Sequence, residues 1–377
     1  MIIQENIRLA EYTTFKIGGP ARFFCSVENE DDVREAVVFA KKMKIPFFVI
    51  GGGSNLLISD NGFPGLVIKM ENKGIEEKVG RSKEYEVRSM KQKVGGSSGS
   101  LQSDPDFDST IISAAAGESW DSFIDYTISK GYSGLENLSA IPGTVGATPV
   151  QNIGAYGAEA GQFISSVRAF DTRRMVFVNL SNKDCKFAYR DSMFKHRKGR
   201  YVVTRVDFKL KKDSTVNIEY KDLQKYFNDQ GSMINGNDHT ATHLPILTPA
   251  DVRKAVVDIR WKKLPDWKLW GTAGSFFKNP VVSALKYARL KKKYPDMPGF
   301  KESFGKVKIP LGWVLDNVCH VKGMQKGSVG TYEKQALVFV AKPGATSAEV
   351  VTLAQELMKK VKDATGITIE GEVEWVN

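Results

Sequence analysis

The stretch from Gly134 to Gly157 places five glycines and two prolines in 24 residues, with apolar residues between them. It is neither low in complexity nor rich in charge, so it does not read as a solvated linker. Glycine admits positive φ and close backbone approach, while proline fixes φ and removes a donor. A segment of this kind can lay successive backbone N–H groups along a phosphate or a flat cofactor ring. A buried loop packed on the core has the same spacing, and the residues alone leave both readings open.

The 377 residues suffice for two or three domains, each with its own core. No apolar run reaches the length of a membrane span, and the first residues lack the basic and apolar regions of a signal peptide. A cytoplasmic location is therefore expected. Cys25, Cys185 and Cys319 are far apart and odd in number, which argues for reduced thiols rather than a disulfide framework. Neither they nor the four histidines have metal-ligand spacing, and no metal is expected. The formal charge of +11 favours anionic partners: nucleic acid, an acidic membrane face or phosphorylated small molecules. Its local clusters, at 195–200 and Lys291–Lys293, lack the aromatic interleaving that stacks bases.

The N-terminal segment alternates strand and helix. Arg22–Val27, Pro46–Ile50 and Gly65–Lys69 read as strands, and Asp31–Met43 as an amphipathic helix with Val33, Ala36, Val37 and Ala40 on one face. Residues 71–110 turn polar and read as a hairpin with a long mobile tip, or as an insertion. Glu118–Lys130 reads as a helix with Gly131 just past its end. Val167–Val178, Lys186–Tyr189 and Tyr201–Leu210 read as strands, and 221–245 as a loop or lid. A helix is expected over Pro249–Trp261 and a domain boundary near Lys263–Pro265. Thr346–Glu349 has the form of a capping box, opening a helix that stops at Gly366. Ile367–Val376 reads as one strand with Glu370, Glu372 and Glu374 on one face.

Several short motifs can carry chemistry. Gly51-Gly52-Gly53-Ser54-Asn55 follows a strand and can cradle a pyrophosphate, or simply connect two strands tightly. It is not the dinucleotide fingerprint. Arg190, in Tyr189-Arg190-Asp191-Ser192, offers a planar fork for a carboxylate or phosphate, or a surface ion pair with Asp191. Ser275 stands between Gly274 and Phe276-Phe277, with no histidine nearby to make it a hydrolase nucleophile, but its hydroxyl can pass on a proton. Three carboxylates along one strand face repel one another unless solvent or a cation compensates. A solvated edge strand and a glutamate held in an active site both fit that pattern.

Taken together, these motifs resemble one family, UDP-N-acetylenolpyruvoylglucosamine reductase (UDP-N-acetylmuramate dehydrogenase), a flavoenzyme of peptidoglycan precursor synthesis. The resemblance runs in order through Thr14–Ala21, Gly51–Leu57, Gly134–Glu159, Tyr189–Ser192, Ala273–Pro280 and Glu370–Val373. It implies a mixed α/β chain with the FAD-binding fold of the vanillyl-alcohol oxidase type in two lobes, not a Rossmann domain. The implied lobes are 1–70 and 71–264, followed by a substrate-binding domain at 265–366 and a terminal strand at 367–377.

The resemblance also implies roles. Gly51, Gly52, Gly53, Ser54, Asn55, Ile141, Pro142, Gly143, Thr144, Gly146, Ala147, Asn152 and Gly154 would line bound FAD. NADPH would be the reductant and UDP-N-acetylglucosamine enolpyruvate the substrate. Arg190 would bind the enolpyruvyl carboxylate, a protonated Glu372 would donate to it, and Ser275 would supply the proton. Glu370 remains a second candidate for the acid. Tyr189, Tyr220, Lys263, Asn279 and Gln335 would contact the nucleotide substrate. A monomer without nucleic-acid or membrane-inserted partners is expected. Two other classes stay in view: a different oxidase on the same flavin fold, and a non-catalytic basic nucleotide- or RNA-binding protein.

Overall fold

The computed structural model describes residues 1–78, 109–212, 215–234 and 247–377, with backbone alone for 230–234. Two compact units divide the chain: residues 1–70 with 258–377, and residues 71–257.

The first unit opens with a four-stranded sheet ordered Gln4–Arg8, Pro20–Val27, Phe63–Met70, Phe47–Ile50. Its first pair is antiparallel and the other two pairs are parallel. The helix Glu30–Met43 makes the crossover that parallel strands need. Asn29 caps it by accepting the Asp32 N–H at 2.9 Å, and three acids in its first turn oppose the helix dipole. Val33, Ala36, Val37 and Ala40 are buried, as their spacing predicts. Later in this unit Gln325–Lys326, Val329–Tyr332 and Gln335–Ala341 form an antiparallel sheet. The helix Ser347–Thr365 packs its apolar stripe (Val350, Leu353, Ala354, Leu357, Val361) into the same core. Thr346 and Glu349 form the expected capping box, and Gly366 ends the helix in the left-handed region.

The second unit is built on an antiparallel sheet in the order Val176–Ser181, Ile164–Asp171, Tyr201–Lys212, Ser109–Ala115, Ile75–Lys78. Ile75–Lys78 and Ser109–Ala115 pair as the base of the expected hairpin, whose tip lies outside the described residues. The helix Trp120–Ser129 buries Trp120, Phe123 and Ile124. Cys25, Cys185 and Cys319 are free thiols, and burial pushes those of Cys25 and Cys185 up to about 12.

Four expectations change. Val167–Val178 is two strands, because the Asp171 carboxylate accepts the N–H groups of Arg173 and Arg174 and turns the chain. Lys186–Tyr189 is not a strand: Lys186 and Arg190 are left-handed, and the segment leaves the helical turn Asn182–Cys185 as a loop. The polar stretch after Tyr220 begins as the helix Lys221–Ile234, anchored by fully buried Leu223, and 235–246 lies outside the described residues. Within Ile367–Val376 only Glu374–Val376 is a strand. The alternation that buries Ile367, Ile369 and Val373 breaks after Val373, so that Val376 is buried and Trp375 exposed. The cause is a change of partner, described next.

Candidate active site

In the first unit the glycine turn Gly51–Asn55 connects Phe47–Ile50 to Leu56–Ile58. Gly53 has φ +62°, and a Cβ there would fall 1.9 Å from the Tyr12 carbonyl oxygen, so no side chain fits. The Gly53 carbonyl accepts the Thr14 N–H at 3.1 Å. Thr14 in turn accepts the Thr272 N–H at 3.0 Å and donates its hydroxyl to the Thr272 carbonyl at 2.7 Å. An open cavity of about 780 Å³ borders Gly51 and Gly52, with Arg8, Lys16, Lys69 and Lys268 on its wall against the single acid Glu11. That excess of positive charge beside a glycine turn suits phosphate oxygens.

Ser275 and Glu372 lie on neighbouring segments of the same unit. Bridges join Ser275 to Val338 and Phe277 to Gly371. Lys278 N–H donates to the Glu370 carbonyl at 3.0 Å, and Glu372 N–H to the Phe276 carbonyl at 2.8 Å. Past Glu372 the chain bends and takes a new partner, Leu56–Ile58, beside which Glu374–Val376 runs parallel. At the change of partner Glu374 N–H donates to the Asn55 carbonyl at 3.0 Å, and Asn55 Nδ2 donates to the Glu372 carbonyl at 3.1 Å. Glu372 thus sits where the glycine turn, the serine segment and the terminal segment meet. Phe276 stacks on Phe339 with ring centroids 4.2 Å apart, which seats the serine segment on the core. Glu372 and Ser275 are half-buried, whereas the Glu370 side chain is 78% exposed and 3.8 Å from Lys278 Nζ. Burial separates Glu372, the acid that the resemblance favours, from its second candidate Glu370.

Asn279 and Gln335 converge on one helix start. Asn279 Oδ1 accepts the N–H of Leu311, and a Cβ at Gly312 would fall 2.7 Å from Gln335 Oε1. Lys263 ends the helix Pro249–Lys263 and is exposed.

The second unit carries the other candidates. Gly146 N–H donates to Ala116, Val145 N–H to Glu118, and Gly143 accepts from Trp120, so the run is strapped across Ala116–Trp120. Ile141 and Pro142 are half-buried and Ala147 is exposed. The Thr144 hydroxyl is buried with no hydrogen-bond partner among the described residues. Ala140, left-handed at φ 57°, donates its N–H to Asp121 at 2.6 Å, and Arg253 grips Asp121 through two further bonds of 2.6 and 3.1 Å. Asn152 is buried and directs its side chain to Glu159, Ala188 and Gly161.

Arg190 is also left-handed, at φ 53°, and its Nη2 donates to the Gly154 carbonyl at 2.6 Å. A Cβ at Gly154 would lie 2.8 Å from Nη1, so glycine admits the guanidinium. The same guanidinium lies 5.6 Å from the Tyr189 ring centre. Next to it, Asp191 pairs with His196 at 2.7 Å and accepts the Ser192 N–H. Burial alone would push the Asp191 carboxyl up, but the His196 and Ser192 bonds outweigh it and hold it below the usual range. Tyr220 packs edge-on against Tyr156 at 5.3 Å, and burial, then Asp222 and Tyr189, push its hydroxyl pKa up. Tyr156 and Asn137, which donates to the Tyr156 and Asn217 carbonyls, escaped the sequence reading. The only signal for Tyr156 was its place in the glycine-rich run.

Among the described residues no glycine turn of the fingerprint type leads from a strand into a helix, yet both units offer glycine-lined backbone, and one adds a buried hydroxyl with no partner among them. These features fit a flavin nucleotide. The FAD binding domain family matches residues 21–88 and 98–173, which makes this a flavoprotein with the FAD-binding fold of the vanillyl-alcohol oxidase type. The C-terminal domain of UDP-N-acetylenolpyruvoylglucosamine reductase matches residues 265–376. Reductases of that name from Neisseria gonorrhoeae and Pseudomonas fluorescens are 42% and 36% identical to this chain. The matches cover 99% of this chain and 97% of the first, and 98% of both for the second. The chain belongs to the UDP-N-acetylenolpyruvoylglucosamine reductase family. A solved reductase from Thermus caldophilus shares the fold over the full length of both chains, with a TM-score of 0.63 at 22% identity.

Proposed function

We propose that this protein reduces the enolpyruvyl group of UDP-N-acetylglucosamine enolpyruvate to UDP-N-acetylmuramate, using NADPH and bound FAD. The observation that carries the residue assignment is the placement of half-buried Glu372 at the bend between the serine segment and the glycine turn.

FAD, once bound, would supply the hydride chemistry, with NADPH as the source of the electrons. Gly51–Asn55 and the run Ile141–Gly154 would hold it, their backbone N–H groups and the Thr144 hydroxyl meeting its polar edges. Addition of hydride at the vinyl terminus makes a methyl group and leaves negative charge on the adjacent carbon and carboxylate. Stabilising groups are most effective where that charge develops. Arg190, with its fork already oriented by Gly154, binds the carboxylate. Glu372 in its protonated form donates a hydrogen bond to it. Ser275 delivers the proton to the carbon next to the carboxylate, completing the addition of two hydrogens across the double bond. Tyr189, Tyr220, Lys263, Asn279 and Gln335 hold the uridine diphosphate portion.

In this reading residues 1–70 and 71–264 form the flavin lobes, and 265–366 the substrate domain with the terminal segment 367–377 returning Glu372. The protein acts as a cytoplasmic monomer. Among the described residues no helix is long and apolar enough to cross a membrane. The test is anaerobic and stepwise. NADPH alone should bleach the yellow protein, and the enolpyruvyl nucleotide should restore its colour with formation of the saturated product. Bleaching without recovery on adding that nucleotide contradicts the substrate assignment.

A further inference from the structure

The geometry points to a docking face for an anionic lipid surface on the sheet–helix module Val281–Lys308. Three short strands, Val281–Ser283, Lys306–Lys308 and Phe300–Glu302, pair side by side. Their register sets Val281, Lys308 and Phe300 in one row, and Ser283, Lys306 and Glu302 in the next row on the same face. The opposite face carries buried Val307 and half-buried Val282 into the core. Among the described residues the outer face has no such cover: Val281 is 43% exposed and Phe300 58%. Leu285, on the adjoining helix Ala284–Lys293, is 65% exposed, although that helix already buries Leu290 and packs Tyr287 inward.

Phe304 is the most telling residue. It occupies the tip of the Phe300–Lys308 hairpin, is 96% exposed, and holds φ 57° where glycine or asparagine is the usual choice. A bulky ring in that conformation gains nothing from packing against the described residues. The segment that carries it is strongly basic. Between residues 281 and 308 stand Lys286, Arg289, the Lys291–Lys293 run, Lys301, Lys306 and Lys308 against only Asp296 and Glu302. This 28-residue module therefore carries a net +6, more than half of the chain's +11. Some of these charges are engaged locally: Lys308 pairs with Glu302, and Lys291 and Lys293 reach the Met297 and Ala364 carbonyls. Such contacts with neutral carbonyls leave the positive field intact.

Projecting apolar side chains interleaved with Lys306 and Lys308 match an interface with phosphate headgroups outside and acyl chains beneath. A nucleic acid would use the charge but leave Leu285 and Val281 without purpose, since stacking needs aromatic rings. Contact of this kind is peripheral, with side chains entering the headgroup layer and no segment crossing it.

The test uses the intact holoenzyme and sedimentation with vesicles of phosphatidylcholine alone or equimolar with phosphatidylglycerol. Binding should appear only with phosphatidylglycerol and fall as salt is raised. Phe304→Ser should weaken it about tenfold, as expected for withdrawing one ring from the interface. Lys306→Glu with Lys308→Glu, both on the outer-face rows, should abolish it, and both variants should keep the wild-type turnover in solution. Equal recovery with the two vesicle types, unchanged binding by Phe304→Ser, or preferential capture by single-stranded RNA would overturn the proposal.

Discussion

The backbone N–H of Glu372 donates to the carbonyl of Phe276 at 2.8 Å, one residue after Ser275. The proposed proton donor and the proposed acid are thereby tied to one hydrogen-bonded frame rather than to separate loops. Rigid backbone of this kind holds reacting groups in place better than mobile side-chain contacts do.

Ser275→Ala should separate the two half-reactions. Reduction of the flavin by NADPH needs no proton from this hydroxyl and should proceed at the wild-type rate. Reoxidation by the enolpyruvyl substrate should slow by about a hundredfold to ten-thousandfold. Stopped-flow absorbance of the flavin measures both, and equal slowing of the two would count against the assignment.

Glu372→Gln and Glu370→Gln form a matched pair. Glu370 is exposed and only 3.8 Å from a lysine, an arrangement worth little in water. Its replacement should leave kcat within about twofold. Replacing Glu372 should lower kcat by about a hundredfold or more with a smaller change in KM. The reverse ranking from steady-state kinetics would transfer the acid's role to Glu370.

Arg253, Asp121 and Ala140 form a relay toward the run proposed to line the flavin. Arg253 holds the carboxylate that in turn holds the N–H of left-handed Ala140. Arg253→Met should weaken flavin binding, read by fluorescence titration, by about tenfold, equivalent to about 1.4 kcal/mol. Adding Ala140→Gly should recover most of that loss, because glycine adopts the conformation without being held. Absence of recovery would reduce Arg253 to a merely structural ion pair.

Glu136 supplies a test in pH. Desolvation raises its pKa, against the opposing pull of its own and the Gly134 N–H groups. The folded state therefore holds this proton more tightly than the unfolded chain does. Its favourable contribution is complete below the unfolded pKa and is lost as pH rises through the folded one. Glu136→Gln keeps the acceptor for Gly134 and removes the cost of ionisation. Urea unfolding should show the variant gaining stability over wild type at neutral pH, with the gain vanishing below about pH 4. A gain independent of pH would contradict this account.

What the sequence made legible was local. The capping box at Thr346, the glycine stop at Gly366 and the stripe Val33–Ala40 depend on neighbours within a turn or two, and they stand where their spacing placed them. The motifs around Gly51, Ser275 and Glu372 were legible as resemblance, but nothing in their spacing announced that they meet. The bend at Glu372 exists because the terminal segment leaves Phe277 for Leu56, a choice made by residues about 100 and 300 positions away. Asp121 and Arg253 are 132 residues apart, so no window of sequence contains their pairing. The helix after Tyr220 was hidden differently: its polar composition masked a periodicity in which, among its described side chains, Leu223 is fully buried and Tyr226 and Phe227 are half-buried.

The two hydrogen bonds between Asn55 and the Glu372–Glu374 bend have a thermodynamic corollary. The turn expected to grip the prosthetic group and the carboxylic acid expected to meet the substrate are one mechanical element. Whatever stiffens one stiffens the other, and such coupling runs equally in both directions. Substrate bound at the acid would then slow escape of the prosthetic group, and a protein stripped of that group would present a loosened acid. Loss of colour and loss of substrate affinity would accordingly travel together in variants that disturb Asn55.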